Sequence, residues 1–222
     1  MRCLVISTSV LFIAVQVQPS AIVAIATIPP VHSEMEESRA KDSSPVISRV
    51  RDGSALTRYL PSLQRLLQRC VNDDPAGSSI GFLAPLSDEV AIKHWLDLQP
   101  SITGDSAENT LLIATLEDDT VIATVLIARA LKQTHIYKGE VRKLLVHPDF
   151  RRHGLGRTMM TAVERTARED LGLELLLLDT ATAFPARLLY LKTGWTEWGI
   201  CPDYAMDAAG SKHECSFFFK RL

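Results

Sequence analysis

A chain of 222 residues, 46% of them hydrophobic, suits one domain of ordinary size plus an extension and can bury its core without staples. Its 24 basic and 26 acidic residues give a formal net charge of −2, which excludes the global basic field that a nucleic-acid partner would need. Cys3, Cys70, Cys201 and Cys215 are widely spaced and show no CxxC or Cys/His ligand pattern, so they read as ordinary thiols and no metal is expected.

Residues 1–30 are apolar with Arg2 as their sole charge, and they resemble a weak secretory leader with an apolar region over 4–15 and a small-x-small site at Ala24-Ile25-Ala26. Gln16, Gln18 and Pro19 break the stretch up as a membrane span, and Met35, followed by Glu36 and Glu37, is an alternative start. No membrane partner is expected. Residues 31–50 are rich in Ser, Glu, Lys and Pro and have too few apolar side chains to fold alone. Residues 1–45 are therefore read as leader-like segment and linker, and residues 46–222 as the folded domain.

Leu60, Leu63, Leu67 and Cys70 recur at helical spacing, and Asn72-Asp73-Asp74-Pro75 with Gly77 ends that helix. Asp88 and Glu89 open a second helix with Ile92, Trp95 and Leu96 on one face. Residues 111–116 and 121–128 are β-rich runs joined by Glu117-Asp118-Asp119-Thr120, an antiparallel hairpin. Residues 141–146 form the next strand. A helix from Gly154 carries Leu155, Met159, Val163 and Ala167 on one stripe, pairs Glu164 with Arg168, and stops at Gly172. The uninterrupted apolar run 175–178 suits a strand covered on both faces, and strand, helix and strand make a βαβ unit with parallel neighbours. Pro185 starts a short helix running to Lys192 and capped by Gly194; residues 195–198 and 215–220 supply the closing strands.

Between the strand and helix of that βαβ unit lies Arg151-Arg152-His153-Gly154-Leu155-Gly156. Two glycines allow a tight turn and close approach of a ligand, free amides at a helix start face an anion, and Arg151, Arg152 and Arg157 add charge. A dinucleotide fingerprint needs a third glycine where Met159 stands, and a phosphate-binding Walker loop needs glycine at Arg151 and lysine at Arg157. Both nucleotide readings fail on named residues.

RxxGxG between strand and helix resembles the pyrophosphate loop of the GNAT superfamily of N-acetyltransferases. Glu140-Val141-Arg142-Lys143-Leu144-Leu145-Val146-His147-Pro148 looks like the family's strand, and Leu189-Tyr190 before Lys192-Thr193-Gly194-Trp195 like its second signature. Ile80-Gly81-Phe82, Leu178-Asp179-Thr180 and Tyr190 share the look of the family's tabtoxin-resistance branch. The resemblance implies a mixed α/β fold: a twisted, mostly antiparallel sheet flanked by helices, with one parallel strand pair splayed to admit the pantetheine arm of acetyl-CoA. It implies cofactor contacts from Leu144, Leu145, Val146, Arg151, Arg152, His153, Gly154, Leu155, Gly156 and Arg157, the strand residues acting through backbone groups. Glu140 is then the candidate base and Tyr190 the candidate proton donor to the sulfur of coenzyme A.

Asp179 is either a catalytic residue, holding the substrate ammonium or sharing the base role, or a cap for the helix near Pro185. His135 and His147 are alternatives for acid–base work, and Trp195 and Trp198 are core residues or acceptor-pocket walls. The implied reaction is acetylation of a small-molecule amine, an amino-acid-like toxin or metabolite, in detoxification or secondary metabolism. A peptide N-acetyltransferase and a non-catalytic acyl-CoA-binding module are the alternatives. Acetyl-CoA is an intracellular cofactor, so a cytoplasmic product is expected, and the family's habit of pairing through closing strands makes a homodimer the expected assembly.

Overall fold

The computed structural model describes residues 44–73, 78–79, 81–103 and 108–222. The leader-like segment, Ile80, and the helix-ending Asp74-Pro75 and Gly77 lie outside them. In chain order the elements are β1 (Val46–Val50), α1 (Gly53–Asn72), β2 (Ser78–Ser79), β3 (Phe82–Leu83), α2 (Asp88–Ile102), β4 (Asn109–Thr115), β5 (Val121–Arg129), β6 (Lys138–Val146), α3 (Leu155–Glu169), β7 (Leu175–Ala181), α4 (Pro185–Lys192), β8 (Thr196–Met206) and β9 (Lys212–Arg221). Short 3-10 turns at Gln133–His135 and Pro148–Phe150 flank β6.

Seven strands form one sheet in the order β1-β4-β5-β6-β7-β9-β8. Every neighbouring pair in it is antiparallel except β6–β7. The crossover through α3 accounts for that parallel pair. The hairpin between β4 and β5 turns as its residues suggest: Asp119 takes a positive φ, and Asp118 accepts from the Thr120 amide at 3.0 Å.

Two apolar clusters sit on opposite faces of the sheet. One packs α1 and α2 on β4 and β5 through Leu63, Leu66, Leu67, Trp95, Leu111, Ile113 and Leu126. Asp52 caps α1 by accepting from the Ala55 amide, and the Trp95 indole donates to the Leu63 carbonyl, tying α2 to α1. The other cluster packs α3 and α4 on β5, β6, β7 and β9 through Met159, Val163, Leu176, Leu178, Tyr190, Trp195 and Phe218. The expected stripe of α3 is buried in full: Leu155, Met159, Val163 and Ala167.

Several details differ from the sequence reading. β6 begins at Lys138 and β7 runs on to Ala181, because partner strands extend pairing beyond the apolar runs. The strand β1 and the small β2–β3 hairpin lacked clean alternation and were not foreseen. Leu96 is 42% exposed, since the buried face of α2 follows Ala91, Trp95 and Ile102. Glu164 does not pair with Arg168 along α3; it accepts from Lys220 of β9 at 2.7 Å, and the same ammonium donates to the Thr193 carbonyl after α4. A half-buried acid is better satisfied by a fixed cation across the core than by a solvated one along the helix.

Candidate active site

The parallel contact between β6 and β7 is short. It pairs Lys138 with Leu175, Gly139 with Leu176 and Glu140 with Leu177, after which both strands continue without pairing to each other. Beyond Glu140 they splay. A bulge in β6 drives the divergence: the register against β5 shifts between Leu126, opposite Arg142, and Thr124, opposite Leu145, and Lys143 within it adopts φ 53°. The Thr124 hydroxyl donates to the Lys143 carbonyl at 3.0 Å and fixes the distortion.

Past the bulge the His147 amide donates to Ile122 on β5 at 2.8 Å. By strand alternation the Val146 amide therefore faces the opposite edge, toward the gap. The side chains of Leu144 and Val146 pack toward the α3 cluster, and that of Leu145 is buried against the α1 cluster. Leu144 and Val146 thus offer the gap their backbone rather than their side chains, whereas the backbone of Leu145, expected at the cofactor, faces β5.

At the mouth of the gap the loop turns into α3. Gly154 is the N-cap at φ 85°, a left-handed conformation that costs most residues about 1–2 kcal/mol, and a side chain there would project into open space. At Gly156 a Cβ would stand 3.3 Å from Leu189 of α4, so this glycine lets α3 approach α4. The first-turn amides of α3 have no internal acceptors and carry the positive end of the helix dipole. Arg151, Arg152, His153 and Arg157 are exposed around them, with the Arg151 guanidinium donating to the Val146 carbonyl at 3.0 Å. An anion is thus met by backbone donors and cations together. Cys70 of α1 donates to the same Val146 carbonyl at 3.4 Å, linking the loop to the α1 face.

Glu140, Asp179 and Tyr190 are carried by three elements, β6, β7 and α4, and the Asp179 charge is felt by Tyr190 as the Glu140 charge is by Asp179. Glu140 of β6 accepts from the Arg142 guanidinium at 2.6 Å. Asp179 lies on β7 opposite Phe217 of β9. Burial raises the Asp179 carboxyl above the ordinary range, the Glu140 charge adds to this, and Arg142 and Lys143 oppose it. Asp179 is not a helix cap: α4 is preceded by Phe184, which makes no side-chain cap, and the Pro185 start does not require one. Tyr190 of α4 is 5% exposed and packs on Trp195 and Phe218. Burial, with the Asp179 charge adding to it, pushes its hydroxyl far above the usual tyrosine range, so it holds its proton at neutral pH.

The α2 side of this cluster carries groups the sequence did not single out. The Lys143 ammonium lies 4.6 Å above the Phe82 ring, and Phe82 meets His94 of α2 edge-on at 4.9 Å. Burial and the Lys143 charge push His94 down to about 4, which keeps its ring neutral. On the β9 side, the Cys215 thiol donates to Asp179 at 3.5 Å, and Tyr204, raised by a bulge in β8, packs edge-on against Phe217 at 5.1 Å. These pairings cross long sequence separations, so no local spacing announces them.

The remaining candidates fall elsewhere. His147 accepts from the Asp149 amide and meets Phe150 edge-on, a structural end to β6, and burial lowers its pKa. His135 sits in the turn before β6, at the closed end of the parallel pair. Trp195 is buried in the α4 core, whereas Trp198 is 62% exposed against Phe217. Among the described residues no cluster of His, Cys, Asp or Glu could hold a metal, and no helix is long and apolar enough to cross a membrane.

A family model described as Acetyltransferase (GNAT) family matches residues 67–195. Solved structures of similar fold include the ribosomal-protein-alanine N-acetyltransferase of Brucella melitensis, 19% identical over 80% of this chain and 99% of that one, with a TM-score of 0.62. A protein assigned as a phosphinothricin N-acetyltransferase gives 18% identity over 81% and 99%, with a TM-score of 0.62. So does yncA of Salmonella typhimurium, solved with its cofactor acetyl-CoA, at 15% identity over 81% and 95% and the same TM-score. At such identities the likeness speaks to the fold.

Proposed function

The chain belongs to the acetyltransferase (GNAT) family, and from that premise we propose that it acetylates the primary amine of a small, amino-acid-like molecule with acetyl-CoA as donor. The observation that carries this reading is the charge pattern where the gap begins. Two carboxylates, Glu140 and Asp179, stand beside two cations, Arg142 and Lys143. A zwitterion matches such a pattern, its ammonium toward the acids and its carboxylate toward the bases. The resemblance to the tabtoxin-resistance branch points the same way, to an amino-acid-like toxin or metabolite.

The residues present fit the donor. The open cradle at Gly154, the first-turn amides of α3 and Arg151, Arg152, His153 and Arg157 suit a pyrophosphate; the free β6 edge at residues 144–146 suits an extended amide-bearing arm. When bound, acetyl-CoA supplies an acetyl group activated as a thioester. Glu140, directly or through water, takes the proton that the acceptor ammonium must lose to become a nucleophile. Asp179 holds that ammonium near the gap. Tyr190, kept protonated by its burial, gives a proton to the departing sulfur. General acid and base contributions of this kind are each worth about 10²–10⁴ in rate.

A peptide acceptor is the second reading, supported by the ribosomal-protein acetyltransferase among the structures of like fold. The test is release of free thiol from acetyl-CoA across amino acids, their decarboxylated counterparts, polyamines and peptides. Turnover with amino acids exceeding that with the matching decarboxylated amines supports the zwitterion reading. Turnover confined to peptides replaces it, and tight donor binding without turnover on any amine makes the chain an acyl-CoA-binding module.

A further inference from the structure

We propose that Cys201 and Cys215 form an oxidation-sensitive pair that closes to a disulfide in the presence of a hydroperoxide and thereby takes from Asp179 the thiol that bonds it. The two cysteines stand directly opposite each other on the antiparallel strands β8 and β9. Residues so placed share a face, with Cα atoms about 4.5–5.5 Å apart, inside the range a disulfide spans. Both are free thiols; Cys201 is exposed and Cys215 buried.

The buried partner is wired to the site. Its thiol donates to the Asp179 carboxylate at 3.5 Å and to the Thr180 carbonyl at 3.1 Å. Burial, with the Asp179 charge adding to it, pushes that thiol up to about 12, so Cys215 is a poor first nucleophile. Exposed Cys201 therefore reacts first. Its thiolate attacks the peroxide O–O bond, and with one proton taken up the products are a Cys201 sulfenic acid and water. The Cys215 sulfur then attacks the sulfenic sulfur: the S–S bond forms, the S–O bond breaks, and the leaving hydroxide departs as water with the proton that Cys215 passes to Asp179. Two thiols are oxidised by two electrons, and one hydrogen peroxide is reduced to two waters.

The consequence reaches Asp179. A hydrogen bond from Cys215 favours the charged carboxylate, against the burial that disfavours it. Once the sulfur turns to Cys201 that support is gone, and the carboxyl moves further toward its neutral form. A neutral carboxyl no longer holds an ammonium. This last step rests on the acetyl-transfer reading; the bond itself does not.

The test treats the reduced full-length protein with hydrogen peroxide. Three readouts follow: peptide mass spectrometry without reductant, carboxyl titration of Asp179 by ¹³C NMR, and turnover on the best amine. The expected result is an intramolecular Cys201–Cys215 peptide, an upward shift in the Asp179 midpoint and a fall in turnover of about tenfold, the scale of one hydrogen bond to a charged group. Dithiothreitol should reverse all three. Cys201→Ser should keep its basal turnover and lose the response, whereas Cys70→Ser should retain the response. A Cys201 sulfinic acid, or a Cys201–Cys201 link between chains with Cys215 still free, overturns the proposal. A formed bond that leaves the Asp179 midpoint unmoved overturns its coupling to the site. Absence of turnover on every amine overturns the acetyl-transfer reading alone, because the linked peptide and the titration are read without it.

Discussion

Tyr190 and Asp179 carry the sharpest consequences of burial. Tyr190→Phe removes one hydroxyl and leaves the ring on Trp195 and Phe218. It is expected to lower kcat about 10²-fold while acetyl-CoA affinity, read by calorimetry, stays within a few-fold. Loss of melting temperature without that split would return the tyrosine to the core. For Asp179 the folded carboxyl sits above its unfolded value, so the native state binds the extra proton across that window. This contribution to stability is complete in acid and is lost as pH rises through the folded value. Asp179→Asn is therefore expected to melt higher than the parent at neutral pH, with the difference closing as pH falls into the ordinary carboxylate range, while turnover drops. A variant that melts lower at neutral pH would show the carboxylate to be supported more than it is desolvated.

What the sequence disclosed at this scale depended on distance along the chain. Gly154 and Gly156 announce themselves because loop, strand and helix are contiguous, and Glu140 because it stands near the start of the strand that the loop follows. The bond from Cys215 to Asp179 spans 36 residues and the Phe82–Lys143 contact spans 61. No periodicity encodes contacts of that reach; only the register of β7 on β9 and the bulge at Lys143 create them.

Among elements, the start of α3 is the one most burdened by a single residue. Gly154→Glu strains the left-handed N-cap and sets a carboxylate beside the amides offered to an anion. Acetyl-CoA affinity is expected to fall at least about a hundredfold, the sum of a few kcal/mol from strain and repulsion. The melting temperature should fall only a few degrees, because the position is open and bears no packing. Unchanged affinity would remove the loop from the donor site. The apolar stripe of α3 was legible from its 3.6-residue period, and so was the parallel pair. The pairing of Glu164 was not, since Lys220 lies on a strand far along the chain.

On the scale of the molecule, the two faces of the sheet are unequally covered. α1 and α2 shield β4, β5 and β6, while the same face of β7, β9 and β8 exposes Trp198 and Tyr204 beside a groove of about 600 Å³ lined by Leu175, Leu177, Trp198 and Phe219. Exposed aromatic surface of this kind favours association. Sedimentation is expected to find a homodimer, and Trp198→Glu to return it to a monomer with its fold intact. A parent chain that sediments as a monomer at high concentration would leave this face to another use.

The three-residue contact between β6 and β7 makes the sheet two plates joined by a short seam. α3 and α4 pack across the seam on one face, yet along it few backbone bonds resist opening. Such a protein should breathe along that line, with amide hydrogens over residues 141–146 on the gap edge exchanging faster than those bonded to β5. A donor lying in the gap would act as the missing strand and lend the seam its cooperativity. Deuterium uptake in that segment should then slow on adding acetyl-CoA, and the melting transition should sharpen as two plates come to unfold as one.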